Sequence, residues 1–175
     1  MAAILLRIEY HYPKSSNVDD IRSFYAYQST EGSDEPEIDI YKFLHPLTGD
    51  MRANTTFHRR NIATDRYETA GSIEWYNSAS GRITFGSDTY DMRDCRRLKK
   101  ATSKSRRFPA GGSEYKWKIA EDETHIFCVD SWGKTVATWL PETQTLKIAP
   151  KGAAILDRLI VTCTVNLYMW KQGFW

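Results

Sequence analysis

From Ile4 to about Ile148 the apolar residues recur with a period close to two, and the rhythm is broken every ten residues or so by Gly, Pro, Asn, Asp or Ser. Successive side chains of a strand point to opposite faces, so this pattern describes short, half-buried strands joined by tight turns: an antiparallel β-architecture. The segments that carry it are 4–12, 23–28, 38–44, 53–59, 71–76, 82–85, 114–119, 124–129, 135–140 and 146–148. The clearest is Tyr115-Lys116-Trp117-Lys118-Ile119, with three bulky residues for one face and two lysines for the other. Leu47-Thr48-Gly49-Asp50, Asn77 to Gly81, Gly86-Ser87-Asp88 and Ser131-Trp132-Gly133 supply the turn chemistry between strands. At 175 residues, with 7 Phe, 6 Trp and 10 Tyr and a net charge of only +2, the chain is read as one folded domain, not a disordered segment. No internal repeat is visible.

The C-terminal part departs from this rhythm. After Lys151-Gly152, residues 153–170 run without a turn residue for a length that suits about five turns of helix, roughly 27 Å. The β-branched stretch from Ile160 to Val165 favours a strand by propensity, and a long bent strand is the alternative. Length favours the helix, because one strand this long would leave an extended unpaired edge, whereas a barrel can enclose an apolar helix. Asp157, Arg158 and Asn166 interrupt the run and argue against a membrane span. The apolar residues from Ala2 to Leu6 are too short for a signal-peptide core, and the last residues hold no Cys to prenylate. A chain working in the cytoplasm or nucleus is expected.

Charge is distributed unevenly. Arg93, Arg96, Arg97, Lys99, Lys100, Lys104, Arg106 and Arg107 face a single acid, Asp94, so this stretch carries +7 and the remainder −5. An acidic block, Asp19, Asp20, Glu31, Asp34, Glu35, Glu37 and Asp39, opposes only Arg22. Residues 93–113 hold few apolar side chains and end in Phe108-Pro109-Ala110-Gly111-Gly112, which predicts a mobile basic loop. Such a loop suits an anionic lipid headgroup, a nuclear import signal, nucleic acid, or a basophilic kinase acting at Thr102, Ser103 or Ser105; it also suits mere solvation. Nucleic acid ranks last, since no aromatic residue is interleaved with the charges.

Catalytic chemistry finds little support. There is no G-x-S-x-G elbow, and Cys95, Cys128 and Cys163 lie in unrelated contexts. Cys95 is read first as an ordinary surface thiol; its place beside Arg93, Arg96 and Arg97, whose positive potential would favour the thiolate, makes a redox-reactive Cys the alternative. Cys128 and Cys163 sit in apolar runs as buried inert residues do. His11, His45, His58 and His125 have no paired spacing and predict no metal site. Gly111-Gly112-Ser113 lacks the Lys-Ser/Thr of a phosphate loop, and Glu121, Asp122 and Glu123 read as one hairpin tip. No cofactor is expected.

Several fragments together carry a resemblance: Ser72-Ile73-Glu74-Trp75, Phe108-Pro109, Gly112-Ser113-Glu114-Tyr115-Lys116-Trp117-Lys118, Val136-Ala137, Leu146-Lys147-Ile148 and the segment from Ile155 to Thr162. In this order they resemble a family of uncharacterised fungal domains placed with the tubby-like C-terminal domains, whose relatives include LURP-one-related proteins and phospholipid scramblases. The resemblance spans roughly residues 38–170. It implies a mainly β fold, a closed antiparallel barrel of about twelve strands around a hydrophobic C-terminal helix, and it implies no catalytic residues. Tubby proteins bind phosphoinositides through basic surface residues, which makes an anionic lipid headgroup or another polyanion the expected partner of the basic loop. A small-molecule carrier or enzyme with a pocket at the barrel mouth is an alternative. So is an interaction or self-assembly domain using aromatic surface around Phe174 and Trp175.

Overall fold

The structure is a computed structural model that describes residues 2–11, 20–46 and 52–175. Its strands are β1 (Ile4–Tyr10), β2 (Phe24–Thr30), β3 (Ile38–Leu44), β4 (Asn54–Asn61), β5 (Arg66–Asn77), β6 (Ser80–Phe85), β7 (Asp88–Asp91), β8 (Ser105–Ala110), β9 (Ser113–Ile119), β10 (Ile126–Val129), β11 (Thr135–Leu140) and β12 (Thr145–Ile148). They form one antiparallel sheet in the order β7-β6-β5-β4-β3-β2-β1-β12-β11-β10-β9-β8, so each strand neighbours its sequence successor except β7, and the pairing of β1 with β12 joins the first strand to the last. The edges β7 and β8 are not hydrogen-bonded to each other. A 3-10 turn, Met92–Arg96, packs against both. Just beyond it, Arg97 and Arg107 exchange backbone N–H···O bonds of 2.9 Å.

The ten expected strands are all present, two of them, β3 and β11, with the expected ends and the others with shifted ends. The expected position Tyr12 and the turn Leu47-Thr48-Gly49-Asp50 lie outside the described residues, as does Asp19 of the acidic block. Two strands escaped the period-two reading. β7 is short and polar, and β8 hides its alternation because one inward residue is Arg106, alongside Phe108 and Ala110. The 93–113 mobile loop is therefore corrected: its first part is the 3-10 turn, its last part is the β8–β9 hairpin, and only 98–104 is irregular. Ala110 pairs with Ser113 across a two-residue loop in which Gly111 and Gly112 have φ of 54° and 73°. A two-residue loop with φ positive at both positions matches the right-handed twist of a hairpin, and glycine adopts it without strain. Pro109, which has no N–H to give, sits on β8, an edge strand where it removes no bond from the interior of the sheet.

The C-terminal run is helical: a 3-10 turn, Pro150–Ile155, leads into α1 (Leu156–Lys171). Strands far apart in the sheet order touch α1, for Trp117 of β9 donates Nε1–H to Thr162 Oγ1 (2.9 Å) and Trp75 of β5 packs edge-on against Tyr168. The sheet thus curls round the helix. Burial on nearly every side is what an all-round apolar helix requires, and here it overrides the β propensity of Ile160 to Val165. The polar residues of α1 have partners. Thr162 Oγ1 also donates to the Arg158 carbonyl (2.6 Å), and Asn166 Nδ2 donates to the Thr162 carbonyl (2.8 Å). Asp157 accepts from the Tyr41 hydroxyl and from Arg59, and Arg158 lies 3.8 Å over the Phe85 ring. The stretch from Pro150 to Lys171 has the length and composition to cross a membrane, yet 72% of its apolar window is buried inside the protein.

Candidate functional site

Alternation on the β8–β9 hairpin divides its side chains. Arg106, Phe108 and Trp117 are buried; Ser105, Arg107 and Pro109 share the outer face with Glu114, Lys116 and Lys118. The register places Ser105 opposite Lys118, Arg107 opposite Lys116 and Pro109 opposite Glu114. Two cations directly opposite one another repel. Glu114 offsets this by accepting hydrogen bonds from both Arg107 and Arg97, and those bonds outweigh partial desolvation to hold its carboxyl below the usual carboxylate range. Partial burial, then the neighbouring charges of Lys118, Arg107 and Lys99, lower the Lys116 ammonium from its ordinary value despite the pull of Glu114. Lys116 thus senses three cations and one carboxylate.

The eight basic residues expected to form one loop have different fates. Lys99, Lys100 and Lys104 are exposed in 98–104 and make no ion pair among the described residues. Arg97 and Arg107 lie beside them, tied to Glu114. Arg93 is exposed but pairs with Asp91 at 3.2 Å. Arg96 and Arg106 are internal struts. Arg96 donates Nε–H to Asn166 Oδ1 (2.8 Å), Nη1–H to Met169 Sδ (2.6 Å) and Nη2–H to the Phe174 carbonyl (3.0 Å); desolvation, reinforced by Arg106, lowers its pKa to about 10. Arg106 lies over the Trp175 ring and donates to the Ser103 and Ser105 carbonyls.

Lys116 and Lys118, absent from the expected set, belong to the surface. Their alternation showed that they face solvent, but only the pairing of β8 with β9 reveals that they adjoin the basic run. The reading of Cys95 is corrected outright: it is buried, and desolvation raises its pKa to about 12, so nearby arginines create no reactive thiolate. Cys128 and Cys163 are buried and also raised by desolvation. Trp175, expected to be free aromatic surface, packs on Trp170 and donates Nε1–H to the Lys104 carbonyl (2.8 Å), while Phe174 stays half exposed.

Around α1, the space bounded by Ile8, Trp139, Ile160 and Leu167 is only about 10 Å³. Larger clefts are open and superficial, such as one of about 480 Å³ beside Arg59, Ile62 and Glu68. Among the described residues no three His, Cys, Asp or Glu side chains gather as a metal site. Residues 24–172 match the model of a family of unknown function, DUF6593. No curated protein and no solved structure matches the chain.

Proposed function

We propose that this chain, which belongs to the DUF6593 family of unknown function, is a non-enzymatic binding module that engages phosphate-bearing anionic lipid headgroups through Lys99, Lys100, Lys104, Lys116 and Lys118, with Arg97 and Arg107 at the centre of the surface. The observation that carries the reading is the excess of cations over the single carboxylate Glu114 on one rigid hairpin and the segment beside it. Unpaired lysines repel one another in the free protein, and an anionic partner relieves that repulsion. The reading includes a tubby-like barrel, with the seam between β7 and β8 filled by the 3-10 turn Met92–Arg96 in place of strand pairing; the twelve strands and enclosed helix support it. An interior filled by α1 favours the outer surface over a carrier or enzyme with an internal ligand.

Vesicle flotation tests this. The chain is expected to float with phosphatidylcholine vesicles containing a phosphoinositide and not with phosphatidylcholine alone. Replacing Lys99, Lys100, Lys116 and Lys118 by Gln should abolish recovery without lowering the thermal midpoint. Equal recovery of wild type and variant overturns the reading, and competition by soluble inositol phosphate separates headgroup recognition from general attraction to a charged bilayer.

A further inference from the structure

We propose that Thr102 is a phosphorylation site for a basophilic protein kinase and that its modification discharges the lysine surface. The switch rests on the lipid reading above; the modification site does not. Three observations converge on Thr102. Lys99 and Lys100 stand three and two residues before it, the spacing an acidic substrate groove can read. Thr102 is exposed, and its hydroxyl makes no hydrogen bond among the described residues, whereas Ser103 and Ser105 engage each other, Oγ to Oγ, at 3.1 Å. The backbone leading to it is also lightly held. Within 98–104 the one internal backbone hydrogen bond runs from Ser103 N to the Lys100 carbonyl (2.9 Å), and the side-chain ties from Arg106 to the Ser103 carbonyl and from Trp175 to the Lys104 carbonyl fall after Thr102, so residues 98–102 can extend into a kinase cleft without disturbing the sheet.

In the reaction Thr102 Oγ1 attacks the γ-phosphorus of ATP. A new P–O bond forms as the bond to the β–γ bridging oxygen breaks, the hydroxyl proton passes to the kinase's catalytic carboxylate, and ADP departs. The phosphothreonine adds a charge of about −2 at neutral pH, next to Lys99, Lys100 and Lys104, which become its own hydrogen-bond donors. Two charges' worth of attraction to an anionic bilayer corresponds to a loss of roughly tenfold or more in vesicle partitioning.

The folded chain is incubated with ATP and the catalytic subunit of a cyclic-nucleotide-dependent protein kinase, and the site is mapped by mass spectrometry. Phosphate is expected on Thr102, retained in a Ser103→Ala/Ser105→Ala variant and lost in Thr102→Ala. Phosphate on Ser103 or Ser105 alone, or labelling only after heat denaturation, overturns the site. The modified and unmodified chains are then compared by flotation on phosphoinositide vesicles. Weaker recovery of the modified chain supports the switch, and equal recovery overturns it. Modification at Thr102 together with no flotation of the unmodified chain upholds the site and overturns the lipid reading instead.

Discussion

Trp117 and Lys116 are adjacent in the chain and opposite in fate. Trp117 is fully buried and holds Thr162 of α1 through its indole N–H, while Lys116 stands on the outer face. Trp117→Ala is expected to cost about 3–5 kcal/mol by leaving a cavity, and Lys116→Ala to be within about 0.5 kcal/mol of neutral. Urea midpoints in the reverse order would mean that the β9 register is off by one residue. His45 supplies a second test. Its Nδ1 lies 2.9 Å from Thr55 Oγ1, which accepts from Trp75 Nε1–H at the same distance, so the Thr55 hydroxyl is set to donate to an unprotonated His45. Burial, followed by the nearby Arg22 charge and against the opposing Asp20, lowers the His45 pKa to about 4. The unfolded chain takes up this proton near the ordinary histidine value of about 6.5, so stability is complete above that pH and falls as pH drops toward 4. Thermal midpoints between pH 7 and 4 should decline, and His45→Asn should flatten that part of the curve.

Elements here are positioned by single side chains that reach across the fold. The aromatic ladder Phe24–Phe43–Phe57 stacks across β2, β3 and β4 at centroid distances of 4.3 and 5.3 Å, and Phe57 continues to Phe85 on β6. β5 lies between, and Gly71 leaves the gap through which Phe57 reaches Phe85; a Cβ there would collide with the Thr84 carbonyl and the Phe57 ring. The C-terminal end of α1 depends on Arg96, which joins the 3-10 turn to Asn166, Met169 and Phe174. Arg96→Ala should loosen residues 172–174, while Trp175 keeps its contacts with Trp170 and the Lys104 carbonyl. Hydrogen exchange is expected to accelerate there and at the last turn of α1, with β1 to β4 unchanged; protection unchanged everywhere would show that Arg96 is no strut.

Across the whole molecule, the small net charge conceals a concentrated basic surface. Of the basic run, Arg96 and Arg106 serve the core and Arg93 is occupied by Asp91, while two lysines from outside the run complete the patch. If attraction to anionic vesicles comes from exposed lysines, flotation should vanish at about 1 M salt, where the Debye length is ~3 Å. Binding that persists there would mean an apolar contact dominates.

Periodicity alone determined the class of fold, ten of the twelve strands, and the two faces of β9, because alternation along a strand is a local property that each residue reports for itself. The length and apolarity of the last segment likewise marked a helix, although the residues from Ile160 to Val165 prefer strands. What tertiary structure decided was membership of a surface. Arg106 and Arg107 are neighbours of the same type, yet one is buried against Trp175 and the other outward beside Lys116. Cys95, surrounded in sequence by arginines, is buried instead. Burial and cross-strand pairing depend on residues distant along the chain, so nothing in the local charge pattern could say which cations remain free for a partner.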